Sequence, residues 1–383
     1  TPDPKMKRET RILFTNNALA HRGGTELVIL DLATEFRRRG HLPMVYSPTL
    51  GQVAEELRRA CIPVISNLDR LGCTPDIIHG QHHVEAMTAM LHFPETPAIY
   101  ACHGWLPWEE APPVFPNIRK YVAVGDLSRE AIVTNCGVPA DEVTTIPNFV
   151  DLRKFSLREQ APAKPRSAVI FDNNVQPASA YAGLVRDACE RAGITRLDIL
   201  GIGAHNNVTD PETRLRAYDI VFAVGRSALE AMSVGCAVIL ANPLGARGMI
   251  LPGNVGSMFG RLGLSSLNPA GLDPAFLLAE ILKYDPAETL AVSRWIRDRV
   301  DLGAAADRYE AVYEETIASW TDADRSPEAV RARFRDAARY VAGLKPLLRQ
   351  ERLEREIRRR QSLISELKRQ GISLRPRDGN QVS

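Results

Sequence analysis

Residues 217–240, AYDIVFAVGRSALEAMSVGCAVIL, constrain the fold more than any other stretch. Positions 220–224 read as an apolar strand, Gly225 as a turn, the next residues as a helix, and 237–240 as a second apolar strand after Gly235. Two strands joined by one helix form a βαβ unit, which belongs to a parallel sheet. The turn Gly225-Arg226-Ser227 therefore lies where a strand's carboxyl end meets a helix's amino end. Unbonded N–H groups and the positive end of the helix dipole make such a junction an anion site. Arg226 adds a fixed cation, and Glu230 stands one turn into the helix, facing the same crevice. A plain βαβ unit with a surface Arg and a solvated Glu has the same pattern, so periodicity alone leaves both readings open.

The alternation runs through the first half as well. Strand patterns at 11–15, 42–47, 63–66, 76–79 and 98–102 alternate with helical patterns at 25–39, 53–60 and 84–91. Repeated βα units predict doubly wound parallel sheets, with ligands at the strand carboxyl ends. The histidines fall at such ends: His79, His82 and His83 after one strand, His103-Gly104 after the next. Imidazole is a common zinc ligand. No carboxylate or cysteine stands nearby at ligand spacing, so no metal is expected, and a buried structural role is the alternative for the first three.

With 383 residues there is room for two domains and an extension. Hydrophobic residues at 45% and charged residues at 25% suit a globular protein with full cores. A net charge of +2 gives no bulk argument for a nucleic-acid partner. No apolar run approaches the roughly 18–20 residues that span a bilayer, and the polar start TPDPKMKRET does not read as a signal peptide. Cys61, Cys73, Cys102, Cys136, Cys189 and Cys236 show no paired spacing, so reduced thiols and a cytoplasmic setting are the expectation.

The string LEAMSVG followed by CAVIL resembles the nucleotide-sugar-binding element of family 4 glycosyltransferases, which have the GT-B fold of two Rossmann-like domains facing across a cleft. Residues 121–155 resemble the same family through Ile146-Pro147-Asn148, Val150-Asp151 and Phe155, with Phe149 where glycine is common. GGTE at 23–26 and AIYACHGW at 98–105 are similar to the family's first glycine loop and its His-Gly strand end. The resemblance implies that Glu230 holds the ribose hydroxyls of a UDP- or GDP-linked sugar. It also implies that Gly225 lets backbone amides reach the donor diphosphate. Donor contacts are expected from Gly24, Asn173, Gly203 and Ser227 as well. Gly23, His82, His103 and Gly104 belong on the acceptor side, with His103, Arg226 and Glu230 nearest the chemistry. Two departures stand out. Phe222 occupies the position of the family's first Glu, eight residues before Glu230, and the loop 172–177, DNNVQP, lacks the Arg and Lys that grip the diphosphate. Arg226 and Arg247 are the candidate replacements, since each guanidinium can fork across two phosphate oxygens.

The expected organisation is a first Rossmann-like domain at 1–155, a nucleotide-sugar-binding domain at 156–303 and a helix crossing back at 304–325. An amphipathic tail at 326–383 ends in disorder. In the tail Phe334, Ala338, Val341, Leu344 and Leu348 form a stripe that Leu353, Ile357, Ile364 and Leu367 continue, dense in Arg on the polar side. Packing on its own protein, a homo-oligomeric coil and peripheral contact with anionic lipid are the three readings. The resemblance thus implies a retaining, metal-independent glycosyltransferase needing no cofactor beyond its donor, acting on a glycan or lipid-linked acceptor of the cell envelope or an exopolysaccharide. An epimerase-like GT-B enzyme and a non-catalytic binding module are the alternatives.

Overall fold

The protein, seen as a computed structural model, is described over residues 9–104 and 108–369. Short β-branched and aliphatic runs form the first sheet: β1 (Arg11–Thr15), β3 (Leu42–Tyr46), β5 (Val64–Ile65), β6 (Ile77–Gly80), β7 (Ala98–Cys102), β8 (Ile118–Ala123) and β9 (Val143–Thr145). Their order is β5-β3-β1-β6-β7-β8-β9, and every pairing is parallel. A separate two-residue pair joins β2 (Ala18–Leu19) to β4 (Thr49–Leu50). Parallel strands need crossovers. Here α1 (Gly24–Arg38), α2 (Gln52–Arg59), α3 (His83–His92) and α4 (Asp126–Cys136) supply them.

The second sheet orders its strands β11-β10-β12-β13-β14. It comprises β10 (Ser167–Phe171), β11 (Arg196–Leu200), β12 (Ile220–Ala223), β13 (Ala237–Asn242) and β14 (Gly245–Met249). Its helices are α5 (Ala180–Arg191), α6 (Pro211–Arg214), α7 (Gly225–Ser233), α8 (Val255–Phe259), α9 (Pro274–Ile281) and α10 (Pro286–Arg297). The βαβ unit is β12-α7-β13, as the apolar runs and glycines predict. The segment after β13 is a correction. It reads as a glycine-rich loop, but Asn242 accepts a bond from the Leu244 amide at 2.8 Å, turns the chain, and β14 returns antiparallel along the edge. Arg247 therefore sits in a hairpin strand and not in a loop at a strand's carboxyl end.

The two sheets have separate cores, and the chain passes between them twice within a residue or two. Phe149 belongs to the first core and its neighbour Val150 to the second. Val300 belongs to the second core and Leu302 to the first. The two passages are bonded together: the Val150 amide donates to Val300 O at 2.7 Å and the Leu302 amide to Val150 O at 3.1 Å. From there α11 (Leu302–Ala318) packs on the first domain through Ala306, Tyr309 and Tyr313.

His79 explains why that packing is specific. Fully buried, it lies 4.8 Å from the Phe14 ring and 5.2 Å from Tyr309, and its Nδ1 is 2.5 Å from the Tyr313 hydroxyl. Burial pushes its pKa down to about 3, so it is neutral and structural. All six cysteines are free, and no group of metal-ligating side chains exists among the described residues. No described helix is long and apolar enough to cross a membrane.

The chain from Arg325 is a second compact unit, built on α12 (Pro327–Arg369), with Pro346 inside the helix. Phe334, Val341 and Leu348 recur every seven residues and are all more than half exposed, at 57%, 58% and 52%. Leu353 and Ile357 are exposed too, but they do not continue that stripe. At about 100° per residue, Ile357 falls half a turn away from Leu348. Ile364 and Leu367, and the end expected to be disordered, lie outside the residues whose side chains are described.

Candidate active site in the interdomain cleft

Two helices bring their amino ends to one pocket, α1 from the first domain and α7 from the second. Neither is capped by the residue before it, Gly23 for α1 and Val224 for α7, although the Glu26 carboxylate accepts from its own amide in the first turn of α1. Orphan amides at such ends favour oxygen ligands. Arg22, Gly23, Gly24 and Leu27 line one wall, and Asp172, Asn173, Gly201, Ser227 and Glu230 are among the residues of the other. Gly24 leaves open space where a Cβ would stand. Gly201, at φ +153°, has no such freedom, because a Cβ there would come within 2.2 Å of Asp172 O.

At the centre is a buried ion triad that joins the domains. Arg226 donates from Nε to Glu230 Oε1 at 2.9 Å, one helical turn away, and from Nη2 to Asp31 of α1. The three side chains are 4–10% exposed. The third guanidinium nitrogen, Nη1, is buried with no partner among the described residues. Phe149 covers the group, its ring centroid 5.8 Å from the guanidinium carbon. Burial raises the Glu230 pKa, and the Arg226 charge works against that rise. A guanidinium held on two edges has a fixed third edge, and a buried N–H without a partner is costly. An oxygen-bearing ligand would satisfy it.

The acceptor-side candidates cluster beside this triad in the first domain. His82 takes φ +59° at the start of α3, an uncommon conformation for a residue with a side chain, and is 4% exposed. Its Nε2 is 3.4 Å from Glu110 Oε1, and its Nδ1 is buried without a partner among the described residues. Burial pushes the His103 pKa down to about 4 despite the Asn148 side chain beside it, and its Nε2 has no hydrogen-bond partner of good geometry among the described residues. Burial raises the Glu26 pKa as well. Gly104 adjoins Glu110, whose Cβ would lie 3.8 Å from an added Cβ there.

Gly23, Gly24, Asn173, Arg226, Ser227 and Glu230 thus share one pocket. Other sequence candidates sit differently. The Gly225 amide, at φ +58°, donates to Leu262 O at 2.7 Å, which leaves the amides after it as the unbonded ones. Gly203 packs on the backbone of Asn174 and Val175. Arg247 donates to Ser266 O at 3.1 Å and is not among the pocket residues. Phe222 is fully buried in the second core. Sequence reasoning missed Asp31 and Arg22. Asp31 offered one signal, a carboxylate in the middle of an apolar helix; Arg22 offered another, a cation directly before Gly23-Gly24.

Comparison with known proteins bears on the fold and on the first domain. The model of glycosyltransferase family 4 matches residues 22–154. Among proteins of curated function, none matches the sequence. A glycosyltransferase of Rickettsia africae superposes with a TM-score of 0.56 at 14% identity, over 82% of this chain and 100% of that one. HepE of Anabaena, solved with UDP and glucose, gives a TM-score of 0.55 at 16% identity, over 81% of this chain and 100% of that one. At such identities the likeness is one of fold. Residues 22–154 thus resemble glycosyltransferase family 4, and the chain as a whole has the GT-B fold.

Proposed function

We propose that the protein transfers a sugar from a UDP- or GDP-linked donor to a glycan or lipid-linked acceptor of the cell envelope or an exopolysaccharide, with retention and without a metal. The observation that carries this reading is the meeting of two helix amino ends, one from each domain, at a pocket holding Glu230 and Ser227. As the glycosyl–phosphate bond breaks, negative charge grows on the leaving diphosphate. Fixed N–H groups aimed at that charge lower the barrier without reorganisation. The Arg226 and Ser227 amides suit this task, and the Arg226 Nη1 edge is a further fixed donor. Glu230 would receive ribose hydroxyls. His103, neutral at pH 7 because its pKa is held near about 4, would present a ring nitrogen to the acceptor hydroxyl, with His82 and Glu110 beside it.

The test is nucleotide release from a panel of UDP- and GDP-sugars, with and without glycan acceptors, alongside calorimetry with the free nucleotides. Turnover dependent on acceptor is the expected result. Glu230→Gln should weaken nucleotide binding by about 1.5–3 kcal/mol, the worth of a hydrogen bond to a charged group. Unchanged affinity with an intact fold removes Glu230 from the donor site. One observation favours a binding module instead: Arg226 is already neutralised by two carboxylates. Tight nucleotide binding with no turnover on any acceptor is the result that would select it.

For the tail we propose self-association through Phe334, Val341 and Leu348, whose spacing suits a helical seam. Replacing all three by Ser should lower the mass seen by light scattering at micromolar concentration. An unchanged mass excludes self-association and leaves a peripheral contact with anionic lipid, supported by the excess of Arg and Lys over Asp and Glu beyond Asp324.

A further inference from the structure

A diphosphate needs cations, and among the described residues lining the pocket the second domain supplies only Arg226. The loop 172–177 contains only Asp172 as a charged residue. Arg226 faces two carboxylates, so with both ionised its triad is net negative. Asp172 adds another negative charge to the same pocket wall. Among the described residues lining the pocket there is one other cation, Arg22, on the opposite wall.

We propose that Arg22, from the first domain, is the cation that meets the donor's diphosphate, in place of the Arg and Lys missing from the second. This rests on the donor reading above. Three observations carry it. First, Arg22 directly precedes Gly23-Gly24 and the amino end of α1, so its charge and the helix amides act on the same space. Second, Asn173 donates from Nδ2 to Arg22 O at 3.0 Å. The loop that lacks cations thus holds the main chain of the residue that supplies one.

Third, the guanidinium has capacity to spare. Nη1 donates to Glu56 of α2, while Nε and Nη2 bond to none of the described residues. The side chain is 15% exposed, open enough to be reached and buried enough to be weakly screened. Glu56 does not depend on Arg22 alone, because its other oxygen accepts from Gln52 Nε2 at 3.2 Å. The Arg22 charge also lowers the pKa of Glu230, which places it within electrostatic reach of the triad. Of the cations lining the pocket, it is the one whose fork can be offered to two phosphate oxygens without breaking a buried triad.

The experiment compares the binding of UDP, GDP, uridine and guanosine by calorimetry at two ionic strengths, in the full chain and its variants. Arg22→Gln should weaken the diphosphate that binds by at least tenfold, leave the matching nucleoside unchanged and flatten the salt dependence. Arg22→Lys should recover part of the loss. Glu56→Gln should tighten diphosphate binding, because it removes the competing anion. A merely structural Arg22–Glu56 pair would lose stability from either side and would not move affinity in opposite directions. Diphosphate affinity in Arg22→Gln within twofold of the parent overturns the proposal and leaves the donor reading standing. A parent that binds neither diphosphate overturns both. Should Arg22→Gln fail to fold, the Glu56→Gln result decides, and weaker or unchanged binding there counts against Arg22.

Discussion

Arg226→Met is expected to cost about 3–5 kcal/mol of stability, the penalty for removing one partner of a buried ion pair. It should also lower turnover by about 10²–10³-fold, comparable to the loss of one oxyanion donor. The stability loss follows from what remains: Asp31 and Glu230, both buried, would face each other without the guanidinium between them. Unpaired buried carboxylates take up protons more readily. The deficit should therefore be largest near pH 7 and shrink toward pH 5. Urea denaturation of parent and variant at both pH values reads this directly. A loss below about 1 kcal/mol that does not change with pH would mean that the triad contributes little as a charge cluster. The double variant Asp31→Asn, Arg226→Met should recover much of the loss, since fewer charges are stranded.

The second large effect is on acid stability, and the sign comes from buried histidines and one paired carboxylate. His79 is neutral in the folded chain, its pKa pushed by burial from 6.5 to about 3. The unfolded chain binds a proton there below pH 6.5, so this contribution is complete above that value and is lost as pH falls toward 3. At about 1.4 kcal/mol per pH unit, the loss between pH 6.5 and 4 is of order 3 kcal/mol. Glu35 acts in the same direction over a lower window. Its bond from Arg38, with further bonds from Arg39 and Arg153, holds its pKa down at about 2. Its contribution is complete above 4.5 and is lost as pH falls through about 2. Stability should therefore decline from pH 6.5 downward, with the slope above pH 4.5 shared by His79 and by His103, whose pKa burial pushes down to about 4. In His79→Phe the midpoint of urea unfolding should change less between pH 6.5 and 4.5 than in the parent, even though the variant starts lower for want of the Tyr313 bond. An equal slope in the two proteins would exclude His79 as a contributor to it.

The parts of the fold readable in the sequence are those set by local pattern. Apolar runs broken by Gly225 and Gly235 mark β12, α7 and β13, and Glu230 lies four residues from Arg226, so their pairing follows from helical spacing. Asp31 is 195 residues from Arg226. No local pattern joins them, and only the meeting of two domains brings them together. The hairpin β13-β14 was unreadable for a different reason. GARGM has the glycine content of a loop, and it forms a strand because the Asn242 turn lays it against an open sheet edge. The same turn withdraws Arg247 from the role its sequence position suggests. In the tail, a stripe counted residue by residue concealed a half-turn phase change after Leu348.

The paired passages at Val150 and Val300 restrict how the cleft can change shape. A single connecting strand would let one domain swivel, twist and slide against the other. Two strands bonded side by side act as a pin, so a movement that opened the cleft would turn about the paired Val150 and Asp301 and would have to part Arg226 from Asp31. Atoms on the two domains would part in proportion to their distance from that pair. The Arg153–Glu35 pair, 3.1 Å long and three residues from the pin, is placed to survive a rotation that pulls Asn173 away from Arg22. An opening of this kind would be a lever movement, in which a small angle at the pin becomes a wide gap at the mouth.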